Sequence, residues 1–276
     1  MAKERIDVLL VEKKLSESRE RAQKTIMAGL VFVNGERVDK VGTKVNVESE
    51  IEVKGNPIPY VSRGGLKLEK AIQTLGIDLT DKCCMDIGAS TGGFTDCMLQ
   101  NGARKVFAVD VGYGQLDWKL RNDPRVVNME RTNIRYVTPE QIGEPLDFLS
   151  IDVSFISLKL VLPVAVSMLK QEGTMVFLIK PQFEAGREQV KKSGVIRDSK
   201  VHLQVVTTVL EFAQSFGLII DYLTFSPIKG PKGNIEFLAH ARKYRLDEAV
   251  DSVVDYTQLI DPAAIVGEAH KMLDTD

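Results

Sequence analysis

Residues 83–94 read Cys-Cys-Met-Asp-Ile-Gly-Ala-Ser-Thr-Gly-Gly-Phe. An apolar run carries an acid, Asp86, towards its end. Gly88, Gly92 and Gly93 follow, and a helical pattern begins at about Phe94. The order is strand, glycine turn, helix. Such a turn exposes backbone N–H groups at a helix start and lets a ligand come close to the main chain. In the dinucleotide fingerprint the glycines stand first, third and sixth. Here they stand first, fifth and sixth, which does not fit a pyrophosphate loop. Alone, the stretch could also be a plain strand-to-helix turn.

The chain downstream gives the turn its setting. Strands are expected at 83–87, 105–110, 125–129, 147–152, 174–180, 218–225 and 234–241. Helices are expected between them at about 93–101, 114–121, 137–142, 157–170 and 199–216. This alternation argues for a parallel sheet with helices on both faces. The last two strands are joined without a helix, through Pro227-Ile-Lys-Gly-Pro-Lys-Gly. A direct link suits an antiparallel hairpin, because parallel neighbours need a crossover. Six parallel strands and a reversed seventh resemble the class I, Rossmann-like methyltransferase fold.

Upstream, residues 1–15 read as one helix with Ile6, Leu9 and Leu10 as its apolar stripe. A second helix, about 18–29, carries Arg19, Arg21 and Lys24 and ends at Gly29. Two short β runs then flank Asn34-Gly35, the dipeptide of a type I′ hairpin turn. Another strand is expected at 50–53. Arg5-Ile-Asp-Val-Leu-Leu, Ser18-Arg-Glu-Arg-Ala-Gln and Gly29-Leu-Val-Phe-Val-Asn-Gly together resemble an S4 domain, a small α+β RNA-binding module. The resemblance implies a basic helix face that docks folded RNA, made of Arg5, Arg19, Arg21 and Lys24, with Arg63 just beyond. Residues 1–60 hold 11 Lys and Arg against 10 Asp and Glu, a net +1. An RNA footprint therefore requires clustering on one face, and a merely solvated face is the alternative. Residues 1–55 are taken as this domain, the Pro-containing stretch 56–63 as a linker, and 64–276 as the methyltransferase domain.

Composition sets limits. The 276 residues are 44% hydrophobic and 27% charged, with a formal net charge of −2. That gives no global electrostatic hint of a polyanionic partner. Cys83, Cys84 and Cys97 form no Cys-x-x-Cys pair, which argues against a zinc site or disulfide framework and fits a reducing cytoplasm. The N-terminus is charged, with no apolar signal core. The longest apolar stretches, such as 160–169, fall short of the roughly 20 residues that span a bilayer. No metal and no membrane partner is expected.

In a doubly wound sheet, ligands sit at the carboxyl ends of the strands. The expected strand ends carry Asp110, Glu130, Asp152 and Lys180, and the last strand carries Glu236 within Ile235-Glu-Phe-Leu. Each alone could be a cap, a turn acid or an edge gatekeeper. One fold, however, places them on one rim. Lys180 and Glu236 sit among apolar neighbours, and buried charges need partners. Asp152 and Glu236 are the natural partners of Lys180 and of Lys67, on the helix that starts near Gly64. An acid such as Asp110 can accept hydrogen bonds from both hydroxyls of a ribose.

Five segments then resemble the TlyA family. They are Ser62-Arg-Gly-Gly-Leu-Lys67, Asp86-Ile-Gly-Ala-Ser-Thr-Gly-Gly-Phe-Thr95, Ser150-Ile-Asp-Val-Ser-Phe155, Lys180-Pro-Gln-Phe-Glu184 and Gly233-Asn-Ile-Glu-Phe237. Members of that family are haemolysin-like proteins that act as ribosomal RNA 2′-O-ribose methyltransferases and pair an S4 domain with an FtsJ-like domain. The resemblance covers nearly the whole chain. It implies a catalytic tetrad of Lys67, Asp152, Lys180 and Glu236. It also implies S-adenosylmethionine held by Asp86, Gly88, Ser90, Gly92, Gly93 and Phe94, with its ribose on Asp110, its adenine near Glu130 and Phe155 near its methionine end. Lys180 would act as general base or, if charged, would steer the hydroxyl. The partner implied is ribosomal RNA or a ribosomal subunit, for a cytoplasmic and monomeric enzyme. Three other readings compete: a nicotinamide-dependent oxidoreductase, a non-enzymatic ribosome-assembly factor, and a membrane-active haemolysin.

Overall fold

The computed structural model describes residues 2–16, 18–27, 29–54, 58–186, 188–190, 194–244 and 255–273. The chain divides into two compact units, Met1–Arg63 and Gly64–Asp276. Residues 55–57, within or beside the expected linker, lie outside the described residues.

In the first unit, β1 (Lys3–Arg5) leads into α1 (Ile6–Glu12), and α2 (Arg19–Met27) follows. Then come β2 (Val31–Val33), β3 (Glu36–Val38), β4 (Lys44–Asn46) and β5 (Ile51–Val53). β2 is the centre of an antiparallel sheet ordered β3-β2-β5. The turn between β2 and β3 has Asn34 at φ 50° and Gly35 at φ 83°, the left-handed pair that a type I′ turn requires. The core is Ile6, Leu9 and Leu10 of α1 against Ala22, Ile26 and Val31. The first residues are not helical, as expected from the sequence, but extended. β1 pairs antiparallel with β4, Lys3 opposite Asn46 and Arg5 opposite Lys44. The apolar stripe that suggested one long helix begins at Ile6. The residues before it carry no periodic signal, and pairing with a strand forty residues away decides their conformation.

The second unit opens with α3 (Gly65–Leu75). There follow β6 (Cys83–Ile87), α4 (Gly93–Gln100), β7 (Lys105–Val109), α5 (Trp118–Arg121), β8 (Val126–Met129), α6 (Pro139–Ile142) and β9 (Leu146–Ile151). The rest is α7 (Leu158–Met168), β10 (Leu169–Ile179), α8 (Pro181–Glu184), α9 (Ser199–Ser215), β11 (Leu218–Phe225), β12 (Phe237–Lys243) and α10 (Pro262–Leu273). The sheet has seven strands in the order β11-β12-β10-β9-β6-β7-β8. Strand β12 runs antiparallel to both its neighbours, and the pairs among β6 to β10 are parallel. The α/β class and the mostly parallel, Rossmann-like sheet are as the sequence implies. Every residue of β6 is buried, which explains its unbroken apolar run. Phe148, Phe177 and Phe237 are among the largest fully buried side chains.

Three elements depart from expectation. α5 spans four residues rather than 114–121. The Glu130 carboxylate accepts the backbone N–H groups of Gln115 and Leu116, which holds that stretch out of a helix. β10 starts five residues early, because Leu169 already pairs with Leu146 before a register shift. β12 starts at Phe237 rather than 234. The side chain of Asn234 donates to the carbonyls of Gly194 and Pro231, which fixes the preceding segment as a loop. After residue 242 the described part of the tail includes α10, which packs on α9 and β11.

Candidate active site

Four charged side chains meet at the carboxyl-end rim of the sheet. Asp152 directly follows β9, Lys180 directly follows β10, and Lys67 is in the first turn of α3. Glu236 arrives differently. It immediately precedes β12, and since that strand is reversed, its start lies where the parallel strands end. Lys67 Nζ donates to Glu236 Oε2 at 2.7 Å and to Asp152 Oδ2 at 3.3 Å. Lys180 Nζ pairs with Asp152 Oδ1 at 2.5 Å and donates to Ser154 Oγ at 3.2 Å. Gln182 Nε2 donates to Glu236 Oε1 at 3.3 Å. The result is one chain, Ser154–Lys180–Asp152–Lys67–Glu236–Gln182.

Burial makes this chain demanding. The side chains of Lys67, Lys180 and Asp152 are 9%, 8% and 16% exposed, and that of Glu236 is fully covered. Isolated buried charges are costly, and two lysines with two carboxylates cancel. Burial would push the Lys67 ammonium towards neutrality, but Asp152 and Glu236 outweigh it and raise its pKa. Burial likewise opposes ionisation of Asp152, and Lys67 and Lys180 reverse that, lowering its pKa. Lys67 is thus a fixed cation and Asp152 a fixed anion. A second constraint comes from Gly230. A Cβ there would lie 2.2 Å from Glu236 Oε1, so the carboxylate fills the space a side chain would need.

Beside the cluster lies a cavity of about 490 Å³, within the ~300–1,000 Å³ typical of small-molecule sites. Ile87, Val109 and Ile134 are among its apolar wall, and Gly88, Ser90, Asp110 and Phe155 line it too. Asp152 and Ser154 also line it and so join the cavity to the charged chain. Gly88 has φ 89°, and a Cβ there would come within 2.7 Å of the Asp152 carbonyl oxygen. Only glycine meets both conditions. Asp110 accepts from Ser90 N at 2.8 Å and from Gly112 N at 2.7 Å, which fixes its carboxylate at the end of β7. Phe155 has φ 63° and is 91% exposed, with its ring 4.9 Å from that of Phe183.

Other expected cofactor residues lie away from this wall. Asp86 is fully buried in β6 and accepts from Thr95 N at 2.9 Å, Thr95 Oγ1 at 2.8 Å and Ser150 Oγ at 3.3 Å. It therefore satisfies an otherwise unpaired N–H in the first turn of α4. Burial raises its pKa to about 7, against the effect of those hydrogen bonds. Gly92 packs on Leu116 and Leu120. Gly93 and Phe94 are buried at the start of α4. Glu130 braces the 115–116 backbone and Arg121 rather than facing the cavity. Burial would raise its pKa, but those donors bring it down to about 2. Where adenine was expected near Glu130, the cavity wall is instead Gln115, Thr132, Asn133 and Ile134. No motif marks these four in the sequence. The nearest signal is that 132–134 directly follow the end of a strand and the acid after it.

In the first unit the expected RNA-facing residues fall into three sets. Arg5 and Arg19 both bind the covered carboxylate of Asp7, Arg5 Nε to Oδ1 at 2.9 Å and Arg19 Nε to Oδ2 at 2.8 Å. Lys24 pairs with Glu20 one turn away at 3.3 Å. Arg21 and Arg63 are exposed.

The chain matches the FtsJ-like methyltransferase family profile over residues 60–243 and the S4 domain profile over residues 4–51. It belongs to the FtsJ-like methyltransferase family. It is 56% identical over 239 residues to Bacillus subtilis YqxC, named as an rRNA methyltransferase, covering 86% of this chain and 85% of that one. It is 43% identical over 239 residues to TlyA of Mycobacterium tuberculosis, named 16S/23S rRNA (cytidine-2'-O)-methyltransferase, covering 86% and 89%. Among solved structures, a Streptococcus thermophilus protein named as a hemolysin superposes with a TM-score of 0.76 at 49% identity, covering 99% and 98%. As an FtsJ-like methyltransferase, the enzyme takes its methyl group from S-adenosylmethionine. The cavity suits that cofactor, with a glycine cradle at Gly88, an acid for a ribose at Asp110 and an apolar wall between. Among the described residues, no helix is long and apolar enough to cross a membrane, and no group of three or more His, Cys, Asp or Glu could hold a metal ion.

Proposed function

We propose that this chain methylates a ribose 2′-hydroxyl of ribosomal RNA in the cytoplasm. The observation that carries this reading is the continuous ion-pair chain Lys180–Asp152–Lys67–Glu236, opening onto the cavity through Asp152 and Ser154. The relatives named as rRNA methyltransferases support the substrate class. S-adenosylmethionine supplies an electrophilic methyl group on a sulfonium. Gly88, Ser90 and Asp110, with Thr132 to Ile134 and Phe155 in the same cavity wall, would hold the cofactor. The S4 unit docks folded RNA through Arg5, Arg19, Arg21 and Lys24, with Arg63 beyond, and the target nucleotide leaves its stack to enter the pocket.

The protein's own residues divide the remaining work. A hydroxyl is a weak nucleophile, so it needs alignment and a proton acceptor. Lys67 is clamped between two carboxylates and stays protonated, so it cannot be that acceptor. Lys180 touches one carboxylate and the cavity-lining Ser154; in its free-amine form it takes the 2′-hydroxyl proton, and as an ammonium it orients the hydroxyl instead. Asp152 holds both lysines in place, and Glu236 fixes Lys67. The enzyme acts as a monomer. The test is mass-spectrometric mapping of 2′-O-methylation on ribosomal RNA from cells with and without the gene. Loss of a ribose methyl in the deletion strain, restored by the wild-type chain but not by Lys180→Ala, is expected. An unchanged methylation map sinks the reading.

A further inference from the structure

Asp7 is the one fully covered carboxylate of the first unit among the described residues. It takes four side-chain hydrogen bonds. Arg5 gives two, from Nε at 2.9 Å and Nη2 at 3.1 Å; Arg19 Nε gives one at 2.8 Å; Gln23 Nε2 gives one at 2.9 Å. The donors come from separate places: Arg5 from β1, Arg19 and Gln23 from α2. Asp7 itself stands in the first turn of α1. Its covering is made by the groups it binds. The two guanidinium side chains remain 39% and 55% exposed. Arg19 is bound to Asp7 through Nε, so its two terminal nitrogens, the fork that matches a phosphate, are not used on that carboxylate.

We infer that Asp7 is a positioning residue for RNA docking, holding Arg5 and Arg19 as a pre-aligned pair of guanidinium forks for the phosphodiester backbone. The inference rests on the reading of the first unit as an RNA dock. A free arginine loses much side-chain entropy when it is immobilised on a phosphate. Asp7 removes that loss in advance for two arginines at once. The cluster keeps a net charge of +1, so attraction to phosphate survives. Gln23 completes the carboxylate's shell.

The inference has a sign that net charge alone does not give. Asp7→Asn removes a negative charge beside an RNA-binding face, and on charge alone it would tighten binding to a polyanion. Pre-alignment demands the opposite. The experiment uses the full-length chain and rRNA-containing subunits from cells lacking the gene. It measures Kd across a salt series, together with KM for RNA and kcat. Arg5→Ala and Arg19→Ala should each weaken binding roughly tenfold and lower the log–log salt slope by about one, as the loss of a phosphate contact does. Asp7→Asn should weaken binding roughly three- to tenfold and raise KM for RNA, with kcat unchanged. Arg19→Lys keeps the charge on an exposed side chain but not the fork, and should lose nearly as much as Arg19→Ala. That variant keeps the question answerable if Asp7→Asn unfolds the unit. If both alanine variants bind normally, the RNA-dock reading itself falls. If they lose binding while Asp7→Asn and Arg19→Lys bind like the parent, the dock stands and the role of Asp7 is overturned.

Discussion

Asp152 and Asp7 each hold two lysine or arginine side chains, yet one pair is buried and the other exposed. Asp152 holds Lys67 and Lys180, whose side chains are 9% and 8% exposed. Asp7 holds Arg5 and Arg19, whose side chains are 39% and 55% exposed. In both, a carboxylate fixes the geometry of a pair of positive groups. The choice of cation follows from the task. A lysine amine can lose a proton, which suits a site that must accept one, whereas a guanidinium never does in a protein. A guanidinium presents a flat fork, which suits a phosphate held at a surface. On the proposed reading, one cluster is closed around a reaction and the other is open to a polymer.

The largest effect should come from the closed cluster. Lys180→Ala is expected to lower kcat by about 10²–10⁴, the usual contribution of a general base. S-adenosylmethionine affinity, read by calorimetry, should stay within a few-fold. Residual turnover near the parent rate would break the contrast between the two clusters. Next comes Gly230→Ala, which puts a methyl group into the space of Glu236 Oε1. It should misplace the carboxylate without touching its charge and cost up to about 10² in kcat, since small misplacements can cost that much. Asp110→Ala should act on the cofactor alone. Its KM for S-adenosylmethionine should rise about tenfold or more, as expected for a lost hydrogen bond to a charged group, with kcat at saturation little changed.

The smallest effect is in stability, and here the two units should respond to pH with opposite signs. Arg5, against the cost of burial, and with help from Gln23 and Arg19, holds the Asp7 carboxyl well below the usual range. Its contribution to the first unit is full above the unfolded value of about 3.9 and is lost as pH falls. Asp86 is raised to about 7 by burial. Its contribution to the second unit is full below about 3.9 and is lost as pH rises through 7. Thermal unfolding followed from pH 4 to 8 should show the second unit weakening with rising pH. Asp86→Asn should flatten that slope, and an unchanged slope would put its cause elsewhere.

Periodic, local signals in the sequence carried the sheet. The glycine turn, the alternation of strand and helix and the reversal of the last strand are all readable because buried strands and turns leave residue-type signatures. Of the tetrad, the four residues come together as the motifs imply, and their contacts follow from strand ends falling on one rim. The wall of the cavity was less legible. Asp86, Gly92, Gly93, Phe94 and Glu130 belong to the same conspicuous segments but serve capping, packing and bracing. Sequence spacing cannot separate a residue that shapes a loop from one that lines the hollow beside it. Gln115, Thr132, Asn133 and Ile134 carry no distinctive chemistry, and only folding brings them to the cavity. The extended β1 was missed because its partner, β4, is distant in the chain and as short as β1 itself. Asp7 carries no signal of its own in the sequence, because Arg5, Arg19 and Gln23 converge on it only in the fold.

Strand β12 enters the sheet backwards, and Glu236 sits at its entrance. Its outer neighbour, β11, is an edge of the sheet, and Ser226 N, just past the end of β11, donates to the Glu236 carbonyl at 2.8 Å. Edges open first when a sheet frays. On the proposed reading, the carboxylate placed there ties activity to the pairing of an edge strand. Warming should therefore silence the enzyme while most of its core is still folded.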